Sequence, residues 1–219
     1  PAYNEGSVKM KKVISLEEYM DAENVDVSSF KFHDELNTKF WTDKKLDPII
    51  SQHLLKIATE FFENLDLPNV QIKDIRFTGS LANYNWSNYS DVDVHIIVDF
   101  ADVDENEDIV REMFNAKKAL WNKRHDIRIF GFEVELYVEN VDDVHHSSGV
   151  FSILNNAWVV EPQLEDPKID WESVKAKAAS FMDQIDRLKL LYSQANYEEA
   201  LATARYLSDR IKTYRRAGL

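Results

Sequence analysis

The stretch from Phe77 to Val98 constrains this chain more than any other. It opens on an apolar run that ends in Gly79-Ser80, crosses a polar segment from Asn83 to Ser90, and closes on Asp-Val-Asp-Val-His-Ile-Ile-Val, residues 91–98. Side chains alternate across a strand, so Asp91, Asp93 and His95 share one face while Val92, Val94 and Ile96 share the other. Two carboxylates side by side repel unless a cation lies between them, and a hard divalent ion with oxygen ligands, Mg²⁺, is the expected partner. Gly79 permits a close backbone approach. The Ser80 hydroxyl, with amides at the start of a helical turn or two over Leu81–Trp86, is expected to receive phosphate oxygens.

Gly79-Ser80, a spacer, and Ser90-Asp-Val-Asp93 leading an apolar strand together resemble the signature of the polymerase-β-like nucleotidyltransferase superfamily. More widely, the run from about Phe40 through Pro162 is similar to uncharacterised nucleotidyltransferases encoded by tailed phages. The resemblance implies a third carboxylate on a later strand. Gly131-Phe-Glu-Val-Glu-Leu-Tyr-Val138 supplies it: Glu133, Glu135 and Tyr137 share one face there, and Glu135, just before Leu136, matches the family position. This chain has Glu where many relatives have Asp, and Asn83-Tyr84 where relatives often carry Gly followed by Thr or Ser. The implied activity is transfer of a nucleoside monophosphate, AMP first, from an NTP (ATP first) to a hydroxyl acceptor. Asp91, Asp93 and Glu135 would hold two Mg²⁺ ions, Glu135 would be the candidate base, and Gly79 and Ser80 would steady the triphosphate. A protein, a small molecule or a short nucleotide is the favoured acceptor. The alternatives are an enzyme acting on RNA or DNA ends and a nucleotide-binding module without turnover.

Charge bears on that choice. The chain has 39 acidic and 26 basic side chains in 219 residues, a formal charge of −13. Affinity for nucleic acid comes largely from phosphate neutralisation, so a long nucleic acid is disfavoured as acceptor. A local exception gathers near the end, at Arg205, Arg210, Lys212, Arg215 and Arg216. A hydrophobic content of 44% suffices for a packed core. No apolar run is long enough for a bilayer and no secretory leader is evident, so a soluble cytoplasmic protein is the default expectation. With no cysteine, disulfides, thiolate zinc sites and cysteine nucleophiles are excluded. The opening at Pro1 and the abrupt close at Leu219 are expected to mark a trimmed piece.

The fold expected is α+β: a polymerase-β-like nucleotidyltransferase fold, with a short mixed sheet backed by helices and a C-terminal helical hairpin. Residues 1–43 form an arm and wrapping segment, 44–165 the nucleotidyltransferase core, and 166–219 the helical appendage. Within the arm, Ser15-Leu-Glu-Glu18 fits a capping box, and Phe30, Phe32, Phe40 and Trp41 read as anchors onto the core. Asp47-Pro48 is a helix start, with Ile50, Leu54, Ile57, Ala58, Phe61 and Leu65 on one face. Strands are expected over Val70–Thr78 and Asp91–Val98. The acidic cluster Asp102 to Asp108 reads as a helix opening rather than a calcium loop. In the helix it opens, Val110, Met113, Phe114, Leu120 and Trp121 form the buried stripe. Lys117 falls within that stripe, while Lys118, Lys123 and Arg124 belong to a solvated face.

A hairpin is expected to turn at Phe130-Gly131. Another joins Val150–Leu154 to Ala157–Val160 through Asn155-Asn156. His145-His146 lack the spacing of a zinc site. Asp170 is the expected cap of a helix striped by Val174, Ala178, Phe181, Ile185, Leu188 and Tyr192. Its partner carries Leu201, Ala204, Leu207, Ile211 and Tyr214.

Overall fold

A computed structural model describes residues 23–27, 30–144, 147–164 and 168–217. The capping box at Ser15, the rest of the arm before residue 23, and His145-His146 lie outside these residues, as do the side chains of Arg215 and Arg216. The chain divides into two compact units, one of residues 28–166 and one holding residues 167–219.

The first unit is built on a mixed six-stranded sheet. A small hairpin, β1 (Trp41–Thr42) and β2 (Lys45–Leu46), leads into helix α1 (Pro48–Glu63). Asp47 caps α1 by accepting from the Ile49 and Ile50 amides at 2.8 and 3.2 Å, and Pro48 occupies the first turn, where its missing N–H costs nothing. The chain then forms β3 (Asp74–Thr78), a 3₁₀ turn (Ser80–Ala82) and β4 (Val92–Val98). Helix α2 (Glu107–Arg124) follows, then β5 (Arg128–Ile129), β6 (Phe132–Asn140), β7 (Val150–Ser152) and β8 (Ala157–Val160). Across the sheet the order is β5-β6-β4-β3-β7-β8; β4 and β6 run parallel and every other neighbouring pair is antiparallel.

One sheet face carries the core. Ile75 and Phe77 of β3 lie beside Ile96 and Val94 of β4, and Val94 lies beside Leu136 of β6. All five are buried, together with Ile50, Leu54, Ala58 and Phe61 of α1. Burial of such side chains contributes roughly 1.5–3 kcal/mol each. Trp41 stacks on Phe77 and Trp158, its ring centroids 5.5 and 4.7 Å from theirs, and donates Nε1–H to the Leu81 carbonyl at 2.7 Å. Phe40 and Trp41 are thus core residues, whereas Phe30 and Phe32 are exposed.

Several boundaries differ from the sequence reading. β3 begins at Asp74 rather than Val70, because Val70 closes a turn onto the Leu67 carbonyl. Phe130 and Gly131 both take positive φ, 52° and 91°, which gives the β5–β6 hairpin the twist a two-residue turn needs. β7 ends at Ser152, since the Ser152 hydroxyl accepts from the Asn155 amide and the connection spans four residues.

α2 starts at Asn106, which accepts from the Ile109 amide, and Asp104 in turn accepts from the Asn106 amide. The acidic cluster opens a helix, as expected. Its buried stripe runs through Val110, Phe114, Lys118 and Trp121, while Leu120 and Lys117 face outward. The reading of Lys117 as the inward lysine is therefore corrected to Lys118: both 117 and 118 fall at same-face spacings from Phe114, and the packing of the helix leaves Lys118 half-buried and Lys117 exposed.

The second unit holds α3 (Trp171–Ser193) and α4 (Tyr197–Ala217), a C-terminal helical pair. Asp170 caps α3, accepting from the Ser173 amide and hydroxyl at 3.1 and 2.6 Å, and these bonds hold its carboxyl below the usual range. The buried positions are Ala179, Leu191, Ala200 and Leu207. Ile185, Tyr192, Leu201 and Ile211, expected in the stripes, are exposed. Among the described residues no helix is long and apolar enough to cross a membrane.

Candidate active site

The polar face of the sheet is ordered in rows set by strand register. Thr78, Asp93 and Glu135 form one row across β3, β4 and β6; Arg76, His95 and Tyr137 form the next. Asp93 and Glu135 are therefore lateral neighbours on parallel strands. Asp91 precedes the first residue of β4 and is exposed. Burial pushes its carboxyl above the ordinary range, and the nearby charges of Glu135 and Glu133 push it further, with Arg128 opposing them. Glu135 and Glu133 thus both repel Asp91 at one end of the sheet.

Gly79 explains the close fit at that end. Its φ is +76°, and a Cβ added there would lie 1.9 Å from Asp93 Oδ2. The close approach anticipated at Gly79 is made by the Asp93 carboxylate itself. Ser80 follows in a single 3₁₀ turn in which the Ala82 amide donates to the Gly79 carbonyl and the Asn83 amide to the Ser80 carbonyl. In place of the one or two helical turns expected over Leu81–Trp86, the helical segment is the single turn Ser80–Ala82. The Ser80 hydroxyl donates to Ser90 Oγ at 2.6 Å, and Ser90 Oγ accepts from the Ser87 amide at 2.9 Å. To steady a phosphate, Ser80 would exchange its Ser90 bond.

Glu133 and Glu135 differ in their neighbours. Glu133 lies opposite Arg128 on β5, with 3.8 Å between Arg128 Nη2 and Glu133 Oε2. Glu135 faces Asp93 and accepts a hydrogen bond from the Tyr137 hydroxyl. Tyr137 stacks on His95, centroids 4.7 Å apart, and His95 Nδ1 lies 2.7 Å from Glu139 Oε1.

A residue absent from the expected site completes it. Lys118 reaches from α2 to the polar face, its Nζ 3.6 Å from the Tyr137 ring centroid. Burial lowers its pKa, and the Glu135 and Asp93 charges work in the opposite direction. Helix spacing admits both Lys117, three residues beyond Phe114, and Lys118, four beyond it, so the sequence alone could not select Lys118.

The donor set suits a hard divalent cation, being all carboxylate oxygen on adjacent strands and short of positive charge. As arranged, no group of three His, Asp or Glu side chains among the described residues is gathered closely enough to enclose one. Compared with protein-family models, curated proteins and solved structures, the chain matches none.

Proposed function

We propose that this chain is a Mg²⁺-dependent nucleotidyltransferase of the polymerase-β-like type, moving a nucleoside monophosphate from an NTP to a hydroxyl acceptor. The reading is carried by one observation: Asp93 packs over Gly79 and lies directly beside Glu135 on a parallel strand, with Asp91 two residues earlier.

In this reading Asp91, Asp93 and Glu135 would hold two Mg²⁺ ions, which would supply charge neutralisation at the triphosphate and a lower pKa for the acceptor hydroxyl. Glu135 takes the hydroxyl proton. The acceptor oxygen forms a bond to the α-phosphorus, the α–β phosphoanhydride bond breaks, and pyrophosphate leaves with the electron pair. Ser80, released from Ser90, donates to a phosphate oxygen. Gly79 keeps the Asp93 carboxylate close to the backbone and limits its rotation.

Pyrophosphate release from each of the four NTPs, with host-lysate fractions as acceptors, tests the activity. Asp93→Asn and Glu135→Gln should each lower turnover by at least about 100-fold, as loss of a charge-stabilising group does. Glu133→Gln should change it by less than about threefold, since Glu133 already has Arg128 as its partner. Equal losses at 133 and 135 would refute the assignment of Glu135. The formal charge of −13 favours a protein, small-molecule or short-nucleotide acceptor. Single-stranded and duplex oligonucleotides should show no measurable binding at physiological salt. Salt-sensitive RNA retention, lost on neutralising Arg205 and Arg210, would instead favour an enzyme of RNA or DNA ends.

A further inference from the structure

Lys118 shares the polar sheet face with Asp93, Glu135 and Arg76, and Arg76 is already engaged by Asp74 at 3.0 Å. Lys118 sits on the buried stripe of α2, four residues beyond the fully buried Phe114, and is itself half-buried. A lysine on such a stripe ordinarily lays its stem on apolar surface and turns the ammonium to water. Here the ammonium instead lies 3.6 Å from the Tyr137 ring centroid. The same Tyr137 donates its hydroxyl to Glu135, and its ring is steadied by the stack on His95. Arg128, which acts on Asp91, is engaged by Asp126 at 2.7 Å and by Glu133.

We infer that the Lys118 ammonium is the resident counter-cation of the Asp93–Glu135 pair and gives way to the divalent cation those carboxylates bind, an inference that rests on the nucleotidyltransferase reading. Two facing carboxylates left alone would repel, and a half-buried ammonium left alone would lose its hydration; each offsets the cost of the other. The aromatic ring supplies a second attraction for the ammonium and fixes its height above the sheet. A divalent ion arriving at the same carboxylates meets a like charge, so its binding is weakened by the free energy needed to move Lys118 aside. The lysine thus sets a threshold of divalent-ion concentration below which the site keeps its own cation. Lys118 is a positioning residue in this scheme, acting on the metal through the carboxylates.

The test compares the whole chain with Lys118→Met, which keeps the stem and removes the charge, and Lys118→Arg, which keeps the charge. Mn²⁺ binding is followed by electron paramagnetic resonance at low ionic strength, and thermal unfolding is recorded in EDTA and with added Mn²⁺. Lys118→Met should bind Mn²⁺ on the order of tenfold more tightly than wild type. Its melting temperature should also rise more on adding Mn²⁺, as mass action requires. Lys118→Arg should stay near wild type. Mn²⁺ affinity that is unchanged or lower in Lys118→Met, with NTP binding weakened, would make Lys118 a phosphate contact and overturn this inference alone. Absence of Mn²⁺ binding in all three proteins would overturn the metal-dependent reading and this inference with it.

Discussion

The central sheet and the C-terminal helical pair bury their apolar residues with very different success. In β3, β4 and β6 the core-facing residues Ile75, Phe77, Val92, Val94, Ile96, Val134 and Leu136 are all buried, because the strands pair side by side and α1 packs into the same core. In α3 and α4 each helix shields a narrow stripe, Ala179 and Leu191 against Ala200 and Leu207, and large residues such as Leu190, Tyr192, Leu201 and Tyr206 stay exposed. The difference locates the chemistry. A row of mutually repelling carboxylates is tolerable only on a scaffold whose other face supplies a large stabilisation, and the sheet unit has that surplus.

The largest expected effect comes from cutting into that surplus. Phe77→Ala, at a fully buried site between Phe40 and Trp41, should destabilise the sheet unit by about 4 kcal/mol, whereas Leu207→Ala should cost the helical pair about 2 kcal/mol. Urea unfolding followed by tryptophan fluorescence separates them, since Trp41, Trp86, Trp121 and Trp158 report on the sheet unit and Trp171 on the helices. Equal losses would break the comparison.

Gly79→Ala should follow, at about 2–3 kcal/mol, because the new methyl group meets the Asp93 carboxylate and the backbone must hold a positive φ. Unlike Phe77→Ala, it should also reduce pyrophosphate release in the fraction that remains folded, since relief of the clash moves Asp93. A Gly79→Ala protein with full turnover would detach the turn from the site.

The smallest effect sharpens the electrostatic half of the comparison. Asp91 has a folded pKa above its unfolded value of about 3.9, so its ionisation opposes folding, and the penalty is fully present only above the folded pKa. In EDTA at neutral pH, Asp91→Asn should therefore be the more stable protein, by under about 1 kcal/mol because the group is mostly solvated. The advantage should shrink as pH falls through the folded pKa and vanish below the unfolded one. A variant less stable than wild type at pH 7, measured by urea unfolding, would show that Asp91 makes a net favourable contact instead.

Local chemistry was legible before any tertiary contact was known. Asp47-Pro48 and Asp170 start helices because a side-chain oxygen satisfies free amides within three residues. Phe130-Gly131 turns a hairpin, and alternation alone assigned Asp91, Asp93, Glu133 and Glu135 to strand faces opposite the valines. The α+β class with a mixed sheet and a C-terminal helical pair was legible for the same reason, since period and punctuation are properties of short segments.

Tertiary structure decided what depends on neighbours. That β4 pairs with β6 in parallel, setting Asp93 against Glu135 and leaving Glu133 to Arg128, is a matter of register between strands some 40 residues apart, and local alternation is satisfied equally by other registers. Helix phase was underdetermined likewise. In α2 the stripe through Phe114, Lys118 and Trp121 was chosen over one through Lys117 and Leu120, and in α4 Ala200 was buried in place of Leu201. An amphipathic sequence bounds an arc of the helix surface, but the partner's shape selects the line of contact within it, and small residues win where two helices must approach closely. The sequence by itself therefore determined which residues carry charge, caps and turns, while packing alone determined that Lys118 stands over the Tyr137 ring.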